Sequence, residues 1–378
     1  MKKLIVIPDS FKGTISSIDI CRIVKKNVHH HFPECEVIAI PIADGGEGTV
    51  DCFLQTACAQ KVTVRVSDPY GDPIAANYIK IGDNAIVEMA QCAGLPLVEQ
   101  RLNPACTTTY GVGEIMLHAI QHGAKKIMLG LGGSCTNDAG AGMAAALGAV
   151  FYQEGNTTLI PTGNNLSQVS RIEIDKLQKQ LQGIEIVAMC DINNPMYGPN
   201  GAAYMFAPQK GADQQMVIHL DNQLRAFAQT IQTQLHKRVD NLPGAGAAGA
   251  MGAGVVAFLN GTLQSGIQTI LDFVNFDTLI EDADMILTGE GKLDAQSLHG
   301  KVVIGVAQRA KLKKVPVVAI VGAIDDDIDE IYQQGISAVF SINQKPIPFS
   351  QARLYTQNNL CKTVDNLMRF AKSMLIHL

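Results

Sequence analysis

The chain has 378 residues, of which 47% are hydrophobic and 17% are charged, and its formal net charge is −5. These values are typical of a globular protein of about two domains and exclude a disordered chain. Because the sequence has neither a basic field nor a Lys/Arg run, it disfavours nucleic acid and membrane surfaces as partners.

Nine scattered cysteines form no C-x-x-C pair, which is usual for a reducing compartment. The apolar segment before Pro8 is too short for a signal peptide. The small-residue run 244–258 is too short and too rich in glycine for a membrane span. We therefore expect a cytoplasmic protein, and a homo-oligomer stays open.

Residues 1–42 have the pattern of a βαβ unit. The apolar residues 4–7 predict a strand, Ser16 or Ser17 is suited to cap the helix that follows, and residues 37–42 predict the next strand. The C-terminal hundred residues have the same rhythm. Strands are predicted at 284–287, 316–321 and 336–342, and helices near 301–313, near 325–334 and from about 350 onwards.

The middle of the chain has a different pattern. Alternating apolar and polar residues at 61–68, 77–81 and 85–89 predict half-buried antiparallel strands. A helix is predicted at 110–122, and Gly123 is suited to end it.

These patterns predict an α/β fold with a discontinuous first domain. Both chain ends, 1–64 and 282–378, would form a doubly wound parallel-sheet domain. Residues 65–281 would form a second, inserted α/β domain. The cleft between the two domains is then the expected ligand site.

Four segments rich in glycine and carboxylates follow predicted strands, where open α/β sheets place their ligands. The first, 9–13, offers Ser10 and Lys12 to an anion at a helix N-terminus. The second, 44–49, has the sequence DGGEGT and also leads into a helix.

The third segment, 130–138, follows a predicted strand at 126–129 and opens a small-residue helix at 139–147. The fourth, 289–294, has the sequence GEGKLD, in which the lysine balances phosphate charge and the carboxylates suit a hard cation. For each segment alone an ordinary turn is an equally good interpretation. Four on one chain favour ligand loops, because glycine in a turn costs backbone entropy.

Asp191 follows an apolar run, 184–189, that predicts a buried strand. A carboxylate at the end of such a strand suits a general base or a metal ligand. The alternative is that Asp191 starts an Asx-turn before Asn193, Asn194 and Pro195.

Residues 244–249, GAGAAG, fit the dinucleotide pattern G-x-G-x-x-G by letter only. They follow a predicted helix at 220–236 rather than a strand, and no acidic residue lies about twenty positions on. The better interpretation is that these small residues permit close helix packing or the close approach of a ligand to the backbone. The sequence also lacks a Walker A motif, a zinc pattern and a G-x-S-x-G elbow.

Together the motifs resemble the bacterial type I glycerate kinases. The matching segments are PDSFKGTISS (8–17), PIADGGEGTV (41–50), GLGGSCTNDAGAGM (130–143), CDINNPMYGPNGAAYMFAPQKGA (190–212), PGAGAAGAMGAG (243–254) and LTGEGKLDAQSLHGK (287–301). The resemblance implies a two-domain α/β enzyme that phosphorylates D-glycerate with ATP and Mg²⁺, with 2-phosphoglycerate favoured over 3-phosphoglycerate. An NAD-linked hydroxyacid dehydrogenase and a non-catalytic metabolite sensor stay open as alternatives.

We assign roles to the single residues by inference. Asp191 is predicted to be the general base, and Lys12 and Lys292 to be catalytic cations that contact phosphate or the glycerate carboxylate. The residues predicted to bind phosphate or nucleotide are Ser10, Gly45, Gly46, Gly48, Gly289 and Gly291. Those predicted to bind substrate are Ser134, Thr136, Asn137, Asp138 and Asn193, of which Asp138 is also the rival base. The predicted metal ligands are Asp44, Glu290 and Asp294, with Asp44 as first choice.

Overall fold

The computed structural model describes residues 1–42, 59–294, 297, 301–325, 328–345 and 347–376. The chain divides into two compact units, Met1–Asp44 with Ile267–Leu378, and Gly45–Gly266. The domain boundaries and the cleft predicted from the sequence stay predictions. Within the described ranges, no helix is long and apolar enough to cross a membrane.

The first unit contains a parallel sheet with buried strands. In the described residues the sheet has five strands, in the order Ile336–Ser341, Val317–Ile324, Met285–Leu293, Lys3–Pro8 and Glu36–Ala39. Leu4 and Ile7 are fully buried, as expected for a parallel sheet that helices cover on its faces. The helices are Ser17–His31, Gly266–Phe273 (which begins at the last residue of the second unit), Phe276–Leu279, Val302–Lys313, Glu330–Gln333, Phe349–Ala352 and Thr356–Ile376, with a 3₁₀ turn at Arg353–Tyr355.

The predicted βαβ unit at the N-terminus is confirmed. Ser16 caps its helix, because the side chain accepts a hydrogen bond from the N–H of Asp19. Its second strand is shorter than predicted and ends at Ala39.

The prediction of a loop at 289–294 was wrong, because the strand Met285–Leu293 continues through the glycines. A Cβ on Gly289 would lie 2.0 Å from the carbonyl oxygen of Ile320. A Cβ on Gly322 would lie 2.4 Å from the carbonyl oxygen of Gly291. These glycines therefore allow neighbouring strands to approach closely and do not form a turn.

The second unit contains a mixed sheet. In the described residues it has six strands, in the order Thr262–Gln264, Glu185–Met189, Lys126–Gly130, Asn84–Glu88, Pro73–Ile81 and Gln60–Ser67. The first four are parallel, and Pro73–Ile81 pairs antiparallel with both Gln60–Ser67 and Asn84–Glu88, which confirms the predicted antiparallel pairing. The prediction of a half-buried strand at 85–89 was wrong, because Asn84–Glu88 also pairs parallel with Lys126–Gly130 and is buried from residue 85 on. A small antiparallel sheet consists of Thr158–Leu159, Val150–Tyr152 and Arg171–Glu173.

Helices surround this sheet and bury a core that includes Phe151, Phe227 and Phe258, whose rings contact one another. They are Ala90–Ala93, Tyr110–Gln121, Ala141–Ala146, Asp175–Gln180, Ala202–Phe206, Gln214–Leu235 and Ala247–Leu259, with 3₁₀ turns at Leu95–Val98, Leu166–Gln168 and Pro208–Lys210. The helix predicted at 139–147 begins two residues late, because Ala139 and Gly140 are left-handed, with φ of 53° and 69°.

Candidate active site

The first unit brings two predicted segments together at the carboxyl edge of its sheet. Pro8 lies opposite Gly289 in the parallel register, so both segments leave the sheet at the same level. The N–H of Asp9 donates to the carbonyl of Gly289 at 2.8 Å. A Cβ on Gly291 would lie 3.3 Å from the Cα of Phe11. Residues 9–13 and 289–294 are therefore neighbours, although they are far apart in sequence.

The segment 9–13 forms a tight turn before the first helix. The N–H of Ser10 donates to Oδ1 of Asp9 at 2.6 Å, and Gly13 has φ of +75°, which favours glycine. Lys12 is exposed at this turn, whereas Asp9 is 8% exposed. The turn thus presents a cation beside a buried carboxylate.

Lys292 takes part in a charged cluster on the same edge. Its Nζ lies 2.8 Å from Oδ2 of Asp325 and 4.0 Å from Oδ2 of Asp294. Lys301 adds a second cation, 3.9 Å from Oδ1 of Asp294. The hydrogen bond from Lys292 to Asp325 raises the pKa of the lysine, so it stays charged at neutral pH.

Glu290 is the buried carboxylate of this cluster. It is 6% exposed, and its Oε1 has no hydrogen-bond partner within the described residues. Burial raises the pKa of Glu290 to about 7, with Ser297 and Lys301 acting against the shift and the nearby carboxylates of Asp9 and Asp294 adding to it. An orphaned carboxylate oxygen with acidic neighbours fits a divalent cation, which would replace the missing partner.

The predicted metal ligands lie partly within and partly outside the described residues. Among the residues that the structure describes, no group of three or more His, Cys, Asp or Glu side chains is placed to hold a metal ion. Mg²⁺ typically uses one or two carboxylates and takes its other oxygens from phosphates and water, so this finding still fits it. Asp44, Gly45, Gly46 and Gly48 lie outside the described residues.

The second unit also brings polar segments to the carboxyl edge of its sheet. Glu88 and Met189 both lie opposite Gly130, which ends the strand between them. The segments 131–138 and 190–195 therefore leave the sheet side by side. Glu88 is 4% exposed and lies at the same sheet edge as Asp138 and Asp191. It was not predicted from the sequence.

Asp138 is fully buried in the second unit. Its carboxylate accepts hydrogen bonds from the N–H (2.7 Å) and hydroxyl (2.8 Å) of Thr109 and from the N–H groups of Gly140 and Gly142 (both 3.2 Å). Burial raises the pKa of Asp138, and these hydrogen bonds act against the shift. Direct contact with substrate stays a prediction for Asp138, but these contacts favour a structural role.

We expect Asp138→Ala to lower the free energy of unfolding by at least about 3 kcal/mol, because several buried donors would lose their acceptor. The matched control is Asp213→Ala, which removes an exposed N-cap that accepts from Met216 and should cost about 1 kcal/mol. Urea denaturation of both variants measures the difference. Equal losses would contradict the structural role of Asp138.

The polar residues before Asp138 are also buried. Ser134 is 7% exposed, and Thr136 and Asn137 are fully buried. The hydroxyl of Thr136 and both side-chain polar atoms of Asn137 have no hydrogen-bond partner in the described part of the chain. Buried polar groups usually have partners, so this loop offers donors and acceptors to a bound molecule.

The segment 244–250 packs against both loops of this edge. Ala248, Gly249 and Ala250 are left-handed, with φ of 55°, 67° and 69°. A Cβ on Gly249 would lie 2.0 Å from the carbonyl oxygen of Thr136, and the N–H of Gly246 donates to the carbonyl of Asn194 at 2.9 Å. The glycines therefore serve close packing within the protein, one of the two interpretations that the sequence left open. No strand precedes them within the described residues from 190 to 243.

Asp191 lies two residues beyond the strand Glu185–Met189 and is exposed. Its Oδ1 accepts a hydrogen bond from the N–H of Gly266 at 2.9 Å, which fixes the side chain at the start of the helix Gly266–Phe273. Asn193 is exposed next to it. The arrangement gives an accessible carboxylate with a defined orientation, as a general base requires.

The sequence of the chain, including the residues of both sheet edges, matches the model of a known protein family. The model of the glycerate kinase family matches residues 4–372. The chain belongs to the glycerate kinase family. The match includes every described residue of both edges.

Two relatives match almost the whole length of the chain. The chain is 41% identical to the glycerate kinase of Bacillus cereus and 39% identical to the glycerate 2-kinase of Escherichia coli, each over 97% of both chains. The structure is similar to that of a putative glycerate kinase 2 from Salmonella typhimurium LT2, with a TM-score of 0.88, 36% identity and 99% coverage of both chains. These comparisons confirm the resemblance and an α/β fold with parallel sheets.

Several polar residues at the carboxyl edges of the two sheets were not predicted as site residues from the sequence. They are Asp9, Glu88, Lys210, Ser297, Lys301 and Asp325. Asp325 follows the strand Val317–Ile324 directly, so the rule that ligands bind at carboxyl ends of strands would have found it. No such signal marks Lys210, which lies at the end of a 3₁₀ turn.

Proposed function

We propose that the protein is a glycerate kinase that transfers the terminal phosphoryl group of ATP to a hydroxyl of D-glycerate. The family match over residues 4–372 carries this conclusion. The use of ATP follows from membership of a kinase family. The 2-hydroxyl is the proposed acceptor, because one relative is a glycerate 2-kinase, and phosphorus NMR of the product would show the position of the phosphate.

The edge of the first unit is proposed to bind the phosphates of ATP. Lys12 and Lys292 supply positive charge there, beside the carboxylates of Asp294 and Asp325. Ser10, Gly289 and Gly291 remain proposed phosphate or nucleotide ligands, although Gly289 packs against Ile320 and Gly291 against Phe11. Phosphoryl transfer depends mainly on positioning and on neutralising charge, and the two lysines suit both tasks. Gly45, Gly46 and Gly48 remain proposed phosphate ligands outside the described residues.

Glu290 and Asp294 would hold Mg²⁺ at this edge, together with Asp44 outside the described residues. When bound, the ion supplies charge neutralisation to the phosphates. The orphaned oxygen of Glu290 is the observation that supports this site. The role of the protein is to keep that carboxylate buried and oriented.

The edge of the second unit is proposed to bind glycerate. Thr136 and Asn137 have polar atoms without a partner among the described residues, and these atoms match the hydroxyls of the substrate; Ser134 and Asn193 lie on the same two loops. Asp138 remains a proposed contact, although its carboxylate already serves Thr109 and two glycines. Asp191 takes the proton of the attacking hydroxyl.

The proposal predicts which nucleotide stabilises the protein. ATP with Mg²⁺ should raise the melting temperature, whereas NADH should not, because a helix and not a strand precedes residues 244–249 in the described part of the chain. A thermal shift assay with millimolar ligand measures this, and Mg²⁺ alone is the control. A clear shift with NADH and none with ATP would favour the dehydrogenase instead.

A further inference from the structure

Lys210 is an unusual lysine, because it is almost completely buried at 2% exposure. It ends the 3₁₀ turn Pro208–Lys210. Its Nζ donates to Oγ of Ser134 at 2.8 Å and to the carbonyl oxygen of Thr136 at 2.7 Å. An ammonium group has three donors, so one N–H is left over by these two acceptors.

Lys210 forms no ion pair at a distance of 4.0 Å or less within the described parts of the chain, although the buried carboxylate of Asp138 lies near it. Burial lowers the pKa of Lys210 to about 8, and the nearby Cys135 and Asp138 act in the opposite direction. A buried ammonium without an anion is costly, and the site gains stability when an anion arrives.

The polar groups beside Lys210 indicate which kind of anion would bind there. The carbonyl oxygen of Thr136 accepts a hydrogen bond from Lys210, while its hydroxyl has no partner within the described residues. Asn137, the next residue, is fully buried, and its amide oxygen and nitrogen have no partner in that part of the chain either. One cation beside neutral hydroxyl and amide groups suits a small hydroxy acid, whose carboxylate and hydroxyls need these partners.

The loop that contains Thr136 and Asn137 packs against the segment 248–250. The left-handed residues Ala248–Ala250 bring Gly249 against the backbone of Thr136, and the N–H of Ala139 donates to the carbonyl of Gly249 at 3.0 Å. Left-handed alanines cost free energy, and such strain persists only where the surroundings impose it. The loop is therefore fixed in place for binding.

We propose that Lys210 binds the carboxylate of D-glycerate and that Thr136 and Asn137 bind its hydroxyls. This inference rests on the proposed function and adds a specificity-determining residue to it. It also assigns different ligands to the three lysines: Lys210 binds glycerate, whereas Lys12 and Lys292 bind the phosphates of ATP.

The first test compares Lys210→Met with Lys237→Met. Lys237 is a matched control, because it is half-buried and donates to the carbonyls of Val256 (3.0 Å) and Ala257 (2.7 Å) at the end of a neighbouring helix. We expect Lys210→Met to raise KM for D-glycerate by about 100-fold and KM for ATP by less than about threefold, because a charge-assisted hydrogen bond is lost. Lys237→Met should leave both KM values near those of the wild type.

An equal rise of both KM values in Lys210→Met, or unchanged kinetics with a lower melting temperature, would show a merely structural lysine and overturn the proposal. The wild type gives an independent test if the variant does not fold. Its KM for glycerate should be constant below pH 8 and rise by up to tenfold per pH unit above it, because the neutral amine binds the carboxylate weakly. A flat profile between pH 7 and about 9.5 would contradict the role.

Calorimetry of glycerate binding at pH 8, in two buffers of different ionisation enthalpy and without ATP, completes the design. Binding should take up protons, because the carboxylate raises the pKa of Lys210. Binding without proton uptake overturns the role of Lys210. This measurement needs no turnover, so it separates failure of this inference from failure of the kinase function, which would appear as absent ADP release.

Discussion

Replacement of Asp191 by asparagine is expected to lower kcat by about 10²–10⁴-fold, the usual range for loss of acid–base assistance. The asparagine retains an oxygen that accepts the hydrogen bond from Gly266, so the loop should keep its shape. The KM for glycerate should change little, because only the basicity of the group is removed. Steady-state kinetics with D-glycerate and ATP measure both constants.

The control for this prediction is Asp138→Asn, which changes the buried carboxylate beside Thr109. It should reduce stability more than chemistry. If Asp191→Asn kept most of its turnover while a folded Asp138→Asn lost it, Asp138 would be the base and the two roles would have to be exchanged.

The second large effect is expected from the lysines of the first unit. Lys12→Ala and Lys292→Ala should each lower kcat/KM by about 10²–10³-fold, as removal of one preorganised donor does in other enzymes. Both side chains are exposed, so each variant should fold normally. Removing Lys292 also leaves Asp325 without its partner at 2.8 Å, which adds repulsion toward phosphate.

The matched control is Lys313→Ala. Lys313 also forms a 2.8 Å ion pair on the first unit, with Glu281, but it lies at the end of a helix away from the strand edge. Exposed ion pairs contribute little to stability, so this variant should behave as the wild type. Near-wild-type kcat/KM in both Lys12→Ala and Lys292→Ala would show that these lysines do not contact the phosphates.

The sequence predicted the fold well where periodic apolar runs decide it. The βαβ unit of residues 1–42 and the strands at 61–68 and 85–89 were recognisable because burial requires those patterns. Glycine was harder to interpret, since it marks either a turn or a close backbone approach. At Gly289 the second cause applies, and it depends on Ile320, in a strand about thirty residues away.

The chemistry of single residues depended on neighbours that the sequence does not reveal. Asp138 and Asp191 are both aspartates in polar loops, but only the fold buries Asp138 under Thr109 and leaves Asp191 accessible. Lys210 has no local signal at all. Lysine side chains are ordinarily exposed. Lys210 is buried because its Nζ binds to Ser134 and Thr136, which lie more than seventy residues earlier in the chain.

A coupled assay of ADP release is the most direct test of ATP-dependent phosphorylation of glycerate by this protein. With ATP, Mg²⁺ and D-glycerate, the purified protein should release ADP only when glycerate is present, with a turnover of at least about 1 s⁻¹. Absence of glycerate-dependent ADP release from folded protein that still binds glycerate would contradict the proposed kinase activity and favour a metabolite sensor.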